Sequence, residues 1–205
     1  MFKNLEEANF RILGVGLDES NHAEKVHGNR PTKGEIIVAT FSFYETDMYE
    51  ECQSSRREYS KVEEWLRAPD RDWRYTVLPF KEASGGSNLH RVIIPLLEDY
   101  LNSLSIKVPE IRSFFDGPLR KRERTWVKKE LTKIVSVEKS SAKGFVKKRY
   151  LTNRKRDNGG NSVVKRPQCT YLVYAADVLA SQLLKEYTTP QKLFGNDKFV
   201  PLKEI

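Results

Sequence analysis

The sequence predicts an α/β protein, a mixed sheet flanked by helices. Three observations predict it. Four runs rich in β-branched, aliphatic and aromatic residues are too short for helices and are bounded by turn residues. Three longer segments carry apolar residues at helical spacing. Apart from one short early helix, the order is strand, strand, strand, helix, strand, helix, strand, helix, with no internal repeat.

Along the chain, Phe10 to Leu17 is apolar and interrupted by Gly14 and Gly16, and reads as a strand buried on both faces. Asp18 to Gly34, with Asn21, Asn29 and Pro31, reads as a long polar turn. Glu35 to Tyr44 is a second strand on its β-branched and aromatic content. Val62, Trp65 and Leu66 share one face of a short helix over Arg56 to Ala68, and Trp73 to Phe80 forms a third strand. Gly-Gly-Ser-Asn at 85–88 precedes a helix from Leu89 to Leu104, whose stripe is Ile93, Leu96, Leu97, Tyr100, Leu101 and Leu104. Pro95 inside it predicts a kink or a later start. Pro109 to Asp116 is a fourth strand stopped by Gly117-Pro118. Leu119 to Ile134 is a basic helix with Trp126, Val127, Leu131 and Ile134 inward. A fifth strand begins at Val135 to Val137, Lys143 to Arg166 reads as a mobile basic insertion, and Tyr171 to Tyr187 is the last helix.

At ~100–200 residues per domain, 205 residues make one domain. Hydrophobic residues are 39% and aromatics number 10 Phe, 9 Tyr and 3 Trp, enough for a core, which excludes wholesale disorder. No apolar run approaches the ~18–20 residues of a membrane span, and the first ten residues lack a hydrophobic signal core. The two cysteines, Cys52 and Cys169, supply neither a disulfide framework nor a four-ligand zinc site, so a reducing cytoplasmic location is expected. No Walker-type loop, dinucleotide fingerprint or zinc-spaced histidine pair occurs.

Three acidic positions lie where a sheet delivers side chains into a shared cleft. Asp18 and Glu19 directly follow the first strand, Asp116 ends the fourth, and Asp177 lies among alanines near the start of the last helix. A carboxylate in that alanine-rich setting is costly to bury without a partner or a cation. In open sheets, sites form beyond the ends of neighbouring strands. If the first and fourth strands are adjacent, Asp18 and Asp116 meet, and their repulsion is relieved by a divalent metal. The chemistry such carboxylates suit is two-metal phosphodiester hydrolysis with Mg²⁺ or Mn²⁺. The same residues have plainer readings: Asp-Glu-Ser and Asp-Gly-Pro are ordinary turn sequences, and an aspartate near a helix start complements the helix dipole.

The blocks around these acids resemble a known family. Gly16-Leu17-Asp18-Glu19-Ser20 resembles the Gly-Ile-Asp-Glu-Ala opening of type 2 ribonucleases H. Phe114-Phe115-Asp116-Gly117 is similar to that family's Val-Asp-Gly strand end, and Tyr171 to Ala180 is similar to its Tyr-Pro-Val-Val-(Ala/Ser)-Ala-Ala-Ser-Ile-Leu-Ala segment. The Asp-Glu-Ser opening and late Ala-Asp helix also resemble a broader group of ribonuclease H-fold proteins. The resemblance implies a ribonuclease H-like mixed sheet and a metal-dependent phosphodiesterase scaffold, with Asp18, Glu19, Asp116 and Asp177 as catalytic and metal-holding residues. It does not carry over the reading of a ribose 2′-hydroxyl, because Ser20-Asn21-His22-Ala23 stands where the type 2 enzymes have Gly-Arg-Gly after the acids. Nor is their Lys-Ala-Asp motif present; Lys165-Arg166-Pro167-Gln168 stands there.

The basic residues are concentrated. From Leu119 to Arg166 there are 17 Lys and Arg against four acids, +13 in 48 residues, so the other 157 residues sum to −5 within a chain of +8. Arg120-Lys121-Arg122, Lys147-Lys148-Arg149 and Arg154-Lys155-Arg156 alternate with Trp126, Phe145 and Tyr150. Such residues give salt-sensitive phosphate contacts, and the aromatics can stack on bases. A solvated helix face followed by a basic loop has the same composition. His22 reads as a turn residue or a metal neighbour, His27 and His90 as plain surface residues, Glu98 and Asp99 as a solvated helix face, and Glu138 as solvated or cleft-facing. The expected function is a metal-dependent nuclease acting on RNA, an RNA–DNA hybrid or DNA. The alternatives are a non-catalytic nucleic-acid-binding protein on the same scaffold, and an interaction module with an acidic partner.

Overall fold

The computed structural model describes residues 12–20, 35–43, 48–49, 58–78, 89–104, 108–116, 119–134, 137–145, 169–186 and 194–202. The elements are β1 (Ile12–Ser20), β2 (Glu35–Ser42), β3 (Met48–Tyr49), α1 (Tyr59–Trp65), β4 (Arg71–Leu78), α2 (Leu89–Ser103), β5 (Glu110–Asp116), α3 (Lys121–Leu131), β6 (Lys139–Phe145), β7 (Cys169–Thr170) and α4 (Tyr171–Glu186). Five strands form one sheet in the order β4-β2-β1-β5-β6, and β3 with β7 forms a small second one. β2 runs antiparallel to both its neighbours, while β1, β5 and β6 are mutually parallel. The chain is therefore α/β with a mixed sheet flanked by helices, as expected from its sequence.

Alternation along each strand sends successive side chains to opposite faces. Leu13, Val15, Leu17, Phe41 and Phe115 pack under α2 and α3, against Leu96, Leu97, Val127 and Leu131. Val38, Tyr75 and Phe114 pack on the other face against α4 and α1, through Leu172, Ala176, Leu179 and Val62. α4 has a local start signal: Thr170 Oγ1 accepts the Val173 N–H at 3.3 Å, and Thr40 Oγ1 donates to the Leu172 carbonyl at 2.7 Å. Helix α2 runs through Pro95 from Leu89 to Ser103 without a later start.

Two boundaries differ from the sequence reading in ways that move functional residues. β1 continues through Asp18, Glu19 and Ser20, because these residues pair with Val38, Ile37 and Ile36 of β2. They are strand residues rather than the opening of a turn. β6 starts at Lys139, not in Val135–Val137. Val137 packs into the core just before the strand, and its polar Lys-Ser-Ser-Ala-Lys run gave no apolar signal since it is an edge strand with one neighbour. Residues 143–145 of the expected insertion end β6; the rest of it, with His22, His27 and Cys52, lies outside the described residues.

The C-terminal stretch 194–202 lines the β4 edge. Tyr75 N–H donates to the Lys198 carbonyl at 3.0 Å, Val200 N–H donates to Tyr75 O at 2.8 Å, and Thr76 Oγ1 donates to Val200 O at 2.7 Å. No described helix is long and apolar enough to cross a membrane.

Candidate functional site

The parallel ladder between β1 and β5 sets the relation of the two strand acids. Leu17 stands opposite Phe115, and the next residues on each strand are Asp18 and Asp116. Neighbouring strands lie ~4.8 Å apart. Both aspartates share the α4 face with the residue two places before them: Gly16 lies under Leu172, and Phe114 packs with the α4 cluster. Asp18 is 2% exposed and its Oδ1 accepts the Glu19 N–H at 2.8 Å. Asp116 is half-buried at the strand end.

Alternation turns Glu19 to the opposite, α2 face, in line with Leu13, Val15 and Leu17. There it lies near Glu35, the first residue of β2. Burial, then repulsion from Glu19, raises the Glu35 carboxyl to about 7. Glu35 was missed in the sequence, although a period-two reading of Glu35, Ile37, Ala39 and Phe41 puts it on that buried row. Asp177 is half-buried on α4, the helix over the Asp18 face. It lies in the second turn, beyond the first-turn positions where a carboxylate best complements the dipole. Among the described residues, no group of three or more His, Cys, Asp or Glu is gathered so as to hold a metal ion.

The donor chemistry at the Asp18–Asp116 end of the β1–β5 pair nevertheless fits a hard divalent cation. Mg²⁺ is commonly bound through one or two carboxylates, with water and substrate phosphate completing its shell. Asp18 and Asp116 provide two carboxylates on one face of adjacent strands.

The first turn of α3 delivers cations to the same end of the sheet. In a β–α–β crossover the helix runs back against the strands, so its N-terminus lies at the end of β5 that carries Asp116. Arg120, Lys121 and Arg122 are all exposed there. Both acids of α3 are turned from the exposed surface. Glu123 is 8% exposed and its Oε2 accepts the Arg120 N–H at 2.7 Å, while half-buried Glu130 binds Lys133. Lys121, Arg122, Arg124, Lys128 and Lys129 with Thr125 and Thr132 therefore form an unbroken cationic and hydroxylic face. Lys147, Lys148, Arg149, Arg154, Lys155 and Arg156 lie outside the described residues.

Of the other candidates, Glu98 and Glu138 are exposed, and Asp99 has a structural partner. Arg74 Nε donates to Asp99 Oδ2 at 2.6 Å, and Arg74 Nη1 to Asp72 Oδ2 at 2.7 Å. Lys198 Nζ adds a 2.8 Å bond to Asp72 Oδ1. Sequence reasoning missed this cluster because its members are scattered over 126 positions of chain.

No family model and no curated protein matches the chain. Among solved structures it is similar to ribonuclease H2 from Pyrococcus horikoshii OT3, at 15% identity and a TM-score of 0.40, over 91% of this chain and 80% of that one. It is also similar to a chain of the PCNA–ribonuclease HII complex from Archaeoglobus fulgidus, at 14% identity and a TM-score of 0.40, over 91% of this chain and 81% of that one.

Proposed function

We propose that this chain, whose fold is ribonuclease H-like, is a metal-dependent nuclease that hydrolyses phosphodiester bonds in RNA, an RNA–DNA hybrid or DNA. The observation that carries the reading is the juxtaposition of Asp18 and Asp116 at consecutive register on one face of the β1–β5 ladder. In this reading Asp18 and Asp116 hold Mg²⁺ or Mn²⁺, and Asp177 stands by on the helix over the same face. The bound cation would lower the pKa of a water and stabilise the leaving oxygen. Burial and the Glu19 amide fix the Asp18 carboxylate in one orientation before substrate arrives. Arg120, Lys121 and Arg122, at the same end of the sheet, hold the phosphate backbone, as do the basic residues of 147–156. Glu19, on the other face, acts through its backbone amide rather than as a ligand. The cysteine usage suits a reducing, cytoplasmic setting.

The test is cleavage of labelled RNA, hybrid and DNA substrates with Mg²⁺ or Mn²⁺. Cleavage that disappears in Asp18→Asn and Asp116→Asn supports the proposal. Absence of both cleavage and metal binding in the wild-type protein sinks it. The second reading, non-catalytic nucleic-acid binding, is favoured by the unbroken cationic face of α3, whose contacts to phosphate would need no metal. It predicts salt-dependent binding that survives both aspartate substitutions, with no cleavage.

A further inference from the structure

We propose that the β5–β6 half of the α4 face is a second phosphate-contact surface, along which one nucleic-acid strand runs toward Asp116. This surface is distinct from the α3 helix face, which lies on the other side of the sheet. The inference rests on the nucleic-acid part of the function proposed above and not on its catalytic part.

Helix α4 lies over β1 and β2 and only meets the margin of β5; among the described residues no helix lies over β6 on that side. The orientation of β6 follows from its alternate residues. Ser140 Oγ donates to the Lys128 carbonyl of α3 at 3.0 Å, and Ala142 packs into the α2-face core. Lys139, Ser141 and Lys143 therefore point to the α4 side, and all three are exposed. Arg112, the register partner of Ser141, presents its guanidinium on the same side, joined to Glu110 at 2.7 Å. Lys143 stands opposite Phe114, one alternation before Asp116. At ~3.3 Å per residue, the strip from Lys139 to Lys143 spans about 13 Å and leads directly to the acid pair.

The chemistry of the strip selects its occupant. Lysine, arginine and serine are the side chains that contact phosphate and sugar. The exposed described residues of the strip include no aromatic or aliphatic anchor, the feature on which protein partners concentrate their binding energy. Lysines on an edge strand also deter edge-to-edge association. That role predicts an effect on aggregation and none on nucleic-acid affinity.

The experiment uses the full chain in EDTA, so cleavage is silent, with a labelled single-stranded oligonucleotide titrated across a range of salt. Each phosphate contact on a single strand contributes about 0.7 to the slope of log K against log salt. Lys139→Ala with Lys143→Ala should weaken binding at least about fivefold near 0.1 M salt and make the slope shallower by about 1.4. Ser141→Glu, which removes no cation, should also weaken binding; it gives a second reading should the double variant unfold. Lys61→Gln on α1 should change neither quantity. Unchanged affinity and slope in both β6 variants overturn the surface, whether or not the variants aggregate. Absence of binding by the wild-type protein overturns it together with the nucleic-acid reading. Binding that shifts as expected, in a protein that cleaves nothing, upholds the surface while the catalytic proposal falls.

Discussion

Gly16 of β1 lies directly beneath the first turn of α4. A Cβ there would stand 2.4 Å from the Leu172 carbonyl carbon and 2.6 Å from both Leu172 Cβ and the Val173 nitrogen. Two of these atoms are backbone, so no rotamer change relieves the contact. Gly16→Ala is expected to lift the helix from the sheet and destabilise the chain by about 3 kcal/mol, roughly 6–12 °C in Tm for a chain of this size. Thermal and urea unfolding measure it. A shift under about 1 °C would show that α4 leaves room above Gly16 for a methyl group.

The Asp18–Asp116 pair makes a prediction that does not require turnover. Asp18→Asn removes one of the two carboxylate charges and keeps the oxygen that accepts the Glu19 amide, so the metal-free fold should be little changed. Mg²⁺ at ten times its Kd should stabilise the wild-type protein by about 1.4 kcal/mol and leave the variant unmoved. Thermal shift with and without EDTA reads both effects. Equal Mg²⁺ stabilisation of the two proteins would place any cation elsewhere.

Glu35 ties stability to pH. Its folded-state carboxyl is raised to about 7 by burial first and the Glu19 charge second, whereas in the unfolded chain it titrates near 4.5. Between these values the folded state binds more protons than the unfolded one, so this group's contribution to stability falls as pH rises through that window and is flat above it. Glu35→Gln should flatten that part of the profile and stabilise the chain at pH 8 relative to pH 5. Denaturant midpoints at both pH values decide the matter; identical profiles for the two proteins would count against the raised carboxyl.

Arg74 holds the β4 edge together. Burial works against charge on both Asp72 and Arg74. The hydrogen bonds from Lys198 and Arg74 nonetheless hold the Asp72 carboxyl below its ordinary range, and those to Asp72 and Asp99 hold the guanidinium charged. Arg74→Met should cost about 1–2 kcal/mol, because it leaves the partly exposed Asp72 with Lys198 alone and Asp99 without its guanidinium. Through Lys198 it should also loosen residues 194–202, read as faster amide exchange at Tyr75 and Val200. Since a depressed carboxyl stabilises only while ionised, the wild-type protein should lose this contribution as pH falls below about 4, and Arg74→Met should lose less there.

Much of this was legible locally. Every strand of the main sheet before β6 and every helix announces itself, the helices by period and the strands by short apolar, β-branched runs bounded by turn residues, because each buries enough surface to leave a pattern. The Asp116 strand end, the acids after Gly16 and the basic α3 were visible for the same reason. β6 was not, since an edge strand of Lys-Ser-Ser-Ala-Lys-Gly-Phe has too little buried surface to impose an apolar pattern. The β3–β7 pair was missed because two residues are too few to carry a period.

The amino-acid sequence by itself determined the α/β class, the candidate carboxylates and the concentration of net positive charge in one stretch of chain. Only the tertiary structure decided which of them meet. Pairing with β2 carried β1 through Ser20, and alternation then sent Asp18 toward α4 and Glu19 toward α2 and Glu35. The parallel register, not the spacing of 98 residues between them, put Asp18 beside Asp116. The Arg74 cluster and the lysine-bearing face of β6 arose in the same way. Local sequence sets backbone preference and period, whereas long-range pairing sets register and face, and no stretch of chain encodes these last two alone.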